Sequence, residues 1–252
     1  MSMKVALIIP DCHIPYNSDK AYDLMLQVAC DLPRIDEITI LGDYADFYCI
    51  NDHGSKSPKV EQLLSKEIEG VNERLDELDF LFPKAEKVFI QGNHEYRLER
   101  FLLKYAPALF EHVTCPKLFE LEKRKNWTWI PYGPEQLHSI LKSKLFARHE
   151  PLGSSPKATA TKALCSLVYG HIHRIEESHM VGIDGTDHVV FSCGWLGDKG
   201  NKEVFGYVKN QPQWQLGFSV AYVNPNNGYF YHHRIHILNN YTCFFNGKLY
   251  KA

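Results

Sequence analysis

Seven side chains in five short clusters offer donors for metal ions. They are Asp11 and His13, Asp43, Asn93, His149, and the pair His171 and His173. Asp11 and His13 stand two residues apart, so in an extended segment both point the same way and can chelate one ion. Two carboxylates, one amide and four imidazoles suit two divalent cations. A mixed nitrogen and oxygen set takes manganese, iron, zinc, cobalt or nickel, and spacing alone does not choose among them. Two such cations bring four positive charges, of which Asp11 and Asp43 offset two. The remaining positive charge favours an anionic substrate such as a phosphate.

Each cluster follows a short apolar run: Val5 to Ile9, Ile38 to Leu41, Val88 to Ile90, Leu145 to Ala147, and Leu167 to Tyr169. Such runs ending in Gly, Asp or His read as buried strands that deliver polar groups at their carboxyl ends. Five strand ends would then converge on one rim. Between them, Ser18-Asp19 opens a helix with Ala21, Leu24, Met25 and Val28 on its apolar face, ending near Pro33. The stripe Val60, Leu63, Leu64, Ile68, Val71, Leu75 and Leu78 predicts a helix over Lys59 to Phe80, with Gly70 weakening its middle. Before it, residues 51–58 are polar and His53 reads as exposed. A further helix, Glu95 to Lys104, begins at Gly92-Asn93-His94-Glu95 and turns its positive end toward the site.

Residues 105–136 carry four prolines and no clear period. Trp127 and Trp129 there read as core packing. Leu137 to Leu141 and Lys144 to Arg148 predict a hairpin, and Ala158 to Leu164 a short helix. Beyond His173 the pattern is β, with strands expected at Ser178 to Ile183, His188 to Phe191, Phe218 to Asn224, Tyr229 to Ile237 and Tyr241 to Phe245. The polar stretch Gly194 to Gly217 is expected to lie over the metal site. His232, His233 and His236 read as structural, because strand neighbours face opposite ways.

A chain of 252 residues with 44% hydrophobic and 23% charged residues has the composition of a globular protein with a sizeable core. A formal net charge of -2 argues against a broad nucleic-acid footprint and leaves room for a local basic patch. Seven scattered cysteines without a Cys-x-x-Cys pair, with no secretory leader and no membrane-length apolar run, read as reduced thiols in a cytoplasmic protein. Cys12 reads as packing, not as a nucleophile.

The order Asp11-Cys12-His13, Gly42-Asp43-Tyr44-Ala45-Asp46, Gly92-Asn93-His94-Glu95, His149 and Gly170-His171-Ile172-His173 resembles the calcineurin-like metallophosphoesterase superfamily. Two departures stand out: Arg148 and Glu150 flank His149, and Phe47 and Tyr48 follow Asp46 where the Ser/Thr phosphatases carry Arg-Gly. The resemblance implies an α/β fold, a four-layer α/β/β/α sandwich with two mixed sheets in one domain over residues 1–252. Its second sheet is expected to come from the C-terminal strands. It further implies Asp11, His13 and His173 on one ion, Asn93, His149 and His171 on the other, and Asp43 bridging. Manganese leads among manganese, iron, zinc, cobalt, nickel and magnesium.

By the same resemblance His94 is the general acid and Asp46 holds it. For Arg97 two readings stay open, a phosphate clamp or a surface partner of Glu95 or Glu99. The leading function is a phosphomonoesterase for a small phosphorylated substrate such as a nucleotide. The alternative is a phosphodiesterase or nuclease, with Arg97, Arg100, Lys104 and Lys123-Arg124-Lys125 as its support. A third reading, a non-catalytic scaffold such as a retromer subunit, loses weight because every ligand position is filled. Oligomeric state is not legible.

Overall fold

In a computed structural model the chain is described for residues 2–50, 63–201 and 213–252. The expected loop at 51–58, with His53, lies outside the described residues, as do residues 59–62 of the expected second helix. In chain order the first strand, β1 (Lys4–Ile9), leads to Asp11. Ser18 then caps α1 (Asp19–Cys30), its hydroxyl accepting from the Ala21 N–H. β2 (Glu37–Ile40) follows, then α2 (Leu63–Leu81) and β3 (Glu86–Ile90). Gly70, in the middle of α2, falls where that helix passes against Ile14. α3 (Tyr96–Tyr105) starts directly after the third cluster.

The stretch without a clear period holds a short helix, α4 (Cys115–Leu118), and a strand, β4 (Trp127–Ile130), that pairs in parallel with β3. Next come β5 (His138–Ser139), β6 (Leu145–Arg148), α5 (Pro156–Ala163) and β7 (Ser166–Tyr169). The remainder is β8 (Ile175–Val181), β9 (Asp187–Cys193), β10 (Gly217–Val223), β11 (Phe230–His236), β12 (Thr242–Phe245) and β13 (Lys248–Lys251).

Two mixed sheets result. The first has the order β11-β10-β1-β2-β3-β4 and the second β5-β6-β7-β9-β8, with β12 and β13 as a separate hairpin. Period-2 alternation sorts the core into three seams. Val5, Leu7, Ile9, Ile38, Ile40 and Phe89 face helices α1 to α3 through Met25, Val71, Leu75 and Leu98. From the other face of that sheet, Ala6, Ile8, Val88 and Ile90 meet Leu145, Ala147, Val168 and Phe191 of the second sheet. Leu167, Tyr169 and Val190 then face Ala160 of α5. The layers are therefore α/β/β/α, as expected.

The source of the second sheet differs from expectation. The C-terminal strands β10 and β11 extend the first sheet, Lys4 pairing with Val223 and Ile8 with Ser219. The second sheet is made by residues 138–193, so of the expected C-terminal strands only the first two, now β8 and β9, belong to it. β10 fills the side of β1 away from β2 and is buried on both faces, which suits a sheet interior. The parallel strands β1, β2 and β3 of one sheet and β6 and β7 of the other end at one rim. Among the described residues no helix is long and apolar enough to cross a membrane.

Candidate metal centre

Four of the seven candidate donors sit on left-handed backbone: His13 (φ 55°), Asp43 (φ 47°), His171 (φ 69°) and His173 (φ 57°). Residues other than glycine adopt this region rarely and at a cost, and surrounding contacts must hold them there. Those contacts are present. The Cys12 and His13 N–H groups donate to the Asp43 carbonyl at 3.0 and 2.9 Å, Leu196 N donates to the Asp11 carbonyl at 2.8 Å, and Gln215 N to the His173 carbonyl at 2.8 Å. The motif glycines supply room. A Cβ on Gly92 would stand 2.2 Å from Asp43 Oδ1, and one on Gly170 would stand 2.4 Å from Asp11 Oδ1.

The seven side chains gather into two groups. In the first, His173 Nε2 lies 3.2 Å from Asp11 Oδ2 and 3.0 Å from His13 Nε2. In the second, Asn93 Oδ1 lies 2.9 Å from His149 Nε2 and 2.8 Å from His171 Nδ1, with Asp43 Oδ2 3.3 Å from His149 Nε2. Asp43 belongs to the triad with His149 and His171 and also to one with His13 and His94, which places it between the groups. His149 is buried among them despite its unusual neighbours Arg148 and Glu150.

The donor chemistry fits two cations. His149 Nδ1–H donates to the Leu41 carbonyl at 2.9 Å and His13 Nδ1–H to Asp46 Oδ2 at 2.8 Å, so both Nε2 atoms turn a lone pair inward. Ligands at right angles and about 2.1 Å from an ion lie about 3 Å apart, the spacing seen here. The charges agree. Burial would raise the Asp43 and Asp11 carboxyls, yet His149 beside Asp43 and His173 beside Asp11 hold both below their ordinary range. Burial opposes charge on His149, but Asp43 outweighs it and lifts its pKa to about 10. The pocket draws positive charge at these atoms.

His94 adjoins the donors. Its ring Nδ1 donates to the Asp46 carbonyl at 2.9 Å, and its Nε2 accepts from Arg97 Nη2 at 2.9 Å. Asp46 Oδ2 lies 3.3 Å from His94 Nδ1 and closer to His13, so its carboxylate is shared and its main chain is the nearer partner of His94. Burial lowers the His94 pKa, but Asp43 and Asp46 overcome it and the net shift is upward. Arg97 pairs with neither Glu95 nor Glu99. Its other arm donates to the Asp46 carbonyl at 2.9 Å, so one guanidinium spans both. Below them Glu67 of α2 is buried and accepts from Tyr48 N at 3.3 Å; burial, then Asp46, pushes its pKa up to about 8.

Three contributions lie beyond the motif reading. Glu95 caps nothing in α3. It is fully buried and accepts from the backbone N–H groups of Asp43 (2.9 Å), Gly92 (2.8 Å) and Ala45 (2.8 Å). Gln136 accepts from His149 N at 2.9 Å and donates to the Gln91 carbonyl at 2.7 Å, joining the two sheets at the rim. The His173 ring stacks on Trp195 at 4.7 Å and meets Trp214 edge-on at 4.4 Å, so the described part of 194–217 does lie against the site. The Glu was visible in Gly-Asn-His-Glu, and Trp195 and Trp214 lie in the stretch expected over the site; Gln136 carried no local signal.

Other groups serve structure. Cys12 is buried with its Sγ on the Pro10 carbonyl, and burial raises its thiol well above the ordinary value. His232 stacks on Phe191 and bonds Glu177 at 3.0 Å. Within Lys123-Arg124-Lys125, Arg124 is committed to Asp76 and Asp79. Trp127 donates to Asp79 Oδ1 at 2.9 Å, and Trp129 packs on Phe89.

Residues 5–223 match the family described as calcineurin-like phosphoesterase. The chain belongs to that family, and with two donor clusters at its rim it is a metallophosphoesterase, a hydrolase. The Gene 54 protein of Mycobacterium phage L5 is 26% identical over 240 residues, spanning 89% of this chain and 90% of that protein. The solved structure of Vacuolar Protein Sorting 29 from Cryptosporidium parvum aligns with a TM-score of 0.49 at 13% identity, over 99% of this chain and 95% of that one.

Proposed function

We propose that this protein hydrolyses a phosphomonoester of a small substrate, a nucleotide, at a dinuclear metal centre, manganese being the first metal to test. The observation that carries the reading is Asp43, whose carboxylate stands between two clusters of nitrogen and oxygen donors. Asp11, His13 and His173 would hold one ion, Asn93, His149 and His171 the other, with Asp43 on both. When bound, the ions supply Lewis-acid polarisation of the phosphoryl group and activation of water near neutral pH.

The protein's own contribution centres on His94. Its Nδ1–H is fixed on the Asp46 carbonyl, so Nε2 is the atom that exchanges a proton. Arg97 now donates to that Nε2. A phosphate oxygen is a stronger acceptor for a guanidinium than an imidazole nitrogen, so substrate draws Arg97 off Nε2. His94 then takes up a proton, favoured by Asp43 and Asp46, and delivers it to the leaving alkoxide.

Diester or nucleic-acid cleavage is the second reading, favoured by the basic face of α3. A panel of nitrophenyl phosphate, bis-nitrophenyl phosphate, nucleoside monophosphates and duplex DNA, run with manganese, tests both. Turnover of monoesters with little action on DNA is expected, together with a Michaelis constant that changes little with salt. A nuclease covering several phosphates would show a log–log salt slope of about -0.9 per contacted phosphate. Efficient DNA degradation with inertness to monophosphates would overturn the monoesterase reading.

A further inference from the structure

Beside the donors lies a cavity of about 350 Å³ whose lining includes Asn93, Arg97 and the rings of Tyr96, Phe101 and Tyr132. Arg100 and Lys104 also reach it, but each is engaged with a partner of its own, so what the cavity offers a ligand is chiefly aromatic surface. Tyr132 is fixed at both ends. Its main-chain N–H donates to Gln91 Oε1 at 2.9 Å, and its hydroxyl donates to Glu150 Oε1 at 2.6 Å. Burial, then Glu150, raises that hydroxyl above its ordinary pKa, so it stays a donor. The ring stacks on Tyr96 at 4.9 Å with 24° between the planes. Both rings are only half-buried, and each leaves part of its surface on the cavity. Glu150, one of the two unusual neighbours of His149, therefore has a task, which is to hold an aromatic ring beside the metal donors. A ring held this way loses little further freedom when a ligand packs against it.

We infer that Tyr132, backed by Tyr96, is the surface on which the base of a nucleotide substrate packs while its phosphate lies at the metal centre. The inference rests on the phosphomonoesterase reading, because a leaving group protonated at His94 Nε2 departs past Arg97, which lines this cavity. Ligand cavities span roughly 300–1,000 Å³, so one of about 350 Å³ suits a single nucleoside better than a run of nucleotides. Every base has a π-face, and stacking on an aromatic ring is tolerant of which base is present. Tyr132 is thus a specificity-determining residue that selects nucleotides over sugar phosphates, without choosing among the bases.

The test is calorimetric binding to the manganese-loaded full chain, using non-hydrolysable phosphonate analogues of adenosine monophosphate and of ribose 5-phosphate, which lacks the base. The adenosine analogue is expected to bind about 5–100-fold more tightly, the scale of one base stacked on one ring. That ratio should fall to about one in Tyr132→Leu and persist in Tyr132→Phe, which keeps the ring and loses only the bond to Glu150. Equal binding of the two ligands by the unaltered protein, or a ratio that survives Tyr132→Leu, would overturn the inference. A Leu variant that loses both ligands alike would make Tyr132 a structural residue and overturn it as well. Photolysis of the 8-azidoadenine form of the analogue on the unaltered protein needs no variant. Attachment to the peptide carrying Tyr132 or Tyr96 is expected, and attachment only elsewhere would sink the assignment. Nitrophenyl phosphate turnover separates the two ideas. Turnover without the preference leaves the hydrolase standing and removes the base surface, and the preference without turnover does the reverse.

Discussion

Glu95 Oε2 accepts the backbone N–H of Asp43 at 2.9 Å, across 52 residues of sequence. The same carboxylate takes Gly92 N and Ala45 N, so one buried acid ties the end of β2 to the end of β3. Its pKa is raised to about 7, first by burial and then by Asp43. Such a group costs stability when ionised, and its three acceptor bonds give a reason for its presence. It holds Asp43 on left-handed backbone with its side chain turned to the donors.

Glu95→Gln keeps the shape but turns an N–H₂ toward one of those backbone donors. A loss of roughly 10–100-fold in manganese affinity is expected, the scale for groups that orient metal ligands. Calorimetric titration of the metal-free protein measures it. Unchanged affinity in a folded variant would show that the Asp43 loop holds its shape without this acceptor.

Asp43→Asn tests the shared position. An amide at the bridge carries no charge and offers one oxygen. Metal analysis after gel filtration should fall from two ions per chain to one or none, and turnover of nitrophenyl phosphate should vanish. Two retained ions with full activity would remove Asp43 from the bridge.

His94→Ala separates proton delivery from metal binding. The variant should keep both ions and lose about 10²–10⁴-fold in rate on a nucleoside monophosphate, whose alkoxide needs a proton. Nitrophenolate leaves readily without one, so the loss there should be smaller. Equal losses on both substrates would assign the His94 ring to holding the Asp43 carboxylate, whose Oδ2 lies 3.8 Å from its Nε2.

Glu67 gives a prediction about pH. Its pKa is about 8 in the folded protein against an ordinary 4.5, so the folded state binds the proton more tightly than the unfolded one. Stability from this group is therefore present below about pH 4.5 and is lost as pH rises toward 8. Glu67→Gln removes the ionisation. Its melting temperature should exceed that of the unaltered protein at pH 9, by about 1–3 kcal/mol of stability, and match it near pH 5. A gain of equal size at both pH values would assign the effect to packing.

The candidate donors were legible because each follows an apolar strand and is fixed by local chemistry. Gly92 and Gly170 stand where any side chain would strike a carboxylate, and Asp11, Asn93 and His171 are their near neighbours. What bridges the clusters was less legible. Gln136 reaches its partners from an irregular segment, with no period to mark its direction. β4 was missed because its four residues are only partly buried at the edge of the sheet, so alternation is weak. β10 was found as a strand but set in the other sheet. Alternation reports which faces are buried and is silent about which edge a strand joins.

That edge governs how the protein is made. β1 carries the residues leading to Asp11 and His13, and its outer side is completed only by β10, Lys4 lying opposite Val223. During synthesis every candidate donor has emerged before residues 217–223 exist to cover β1. Until then the nascent chain presents an apolar strand with unpaired backbone groups, a template for pairing with other chains. Pairing the ends of so long a loop is also slow, because its closure entropy is met before the contacts form. Newly made chains therefore pass through an interval in which the donors are all present and their scaffold is open to aggregation.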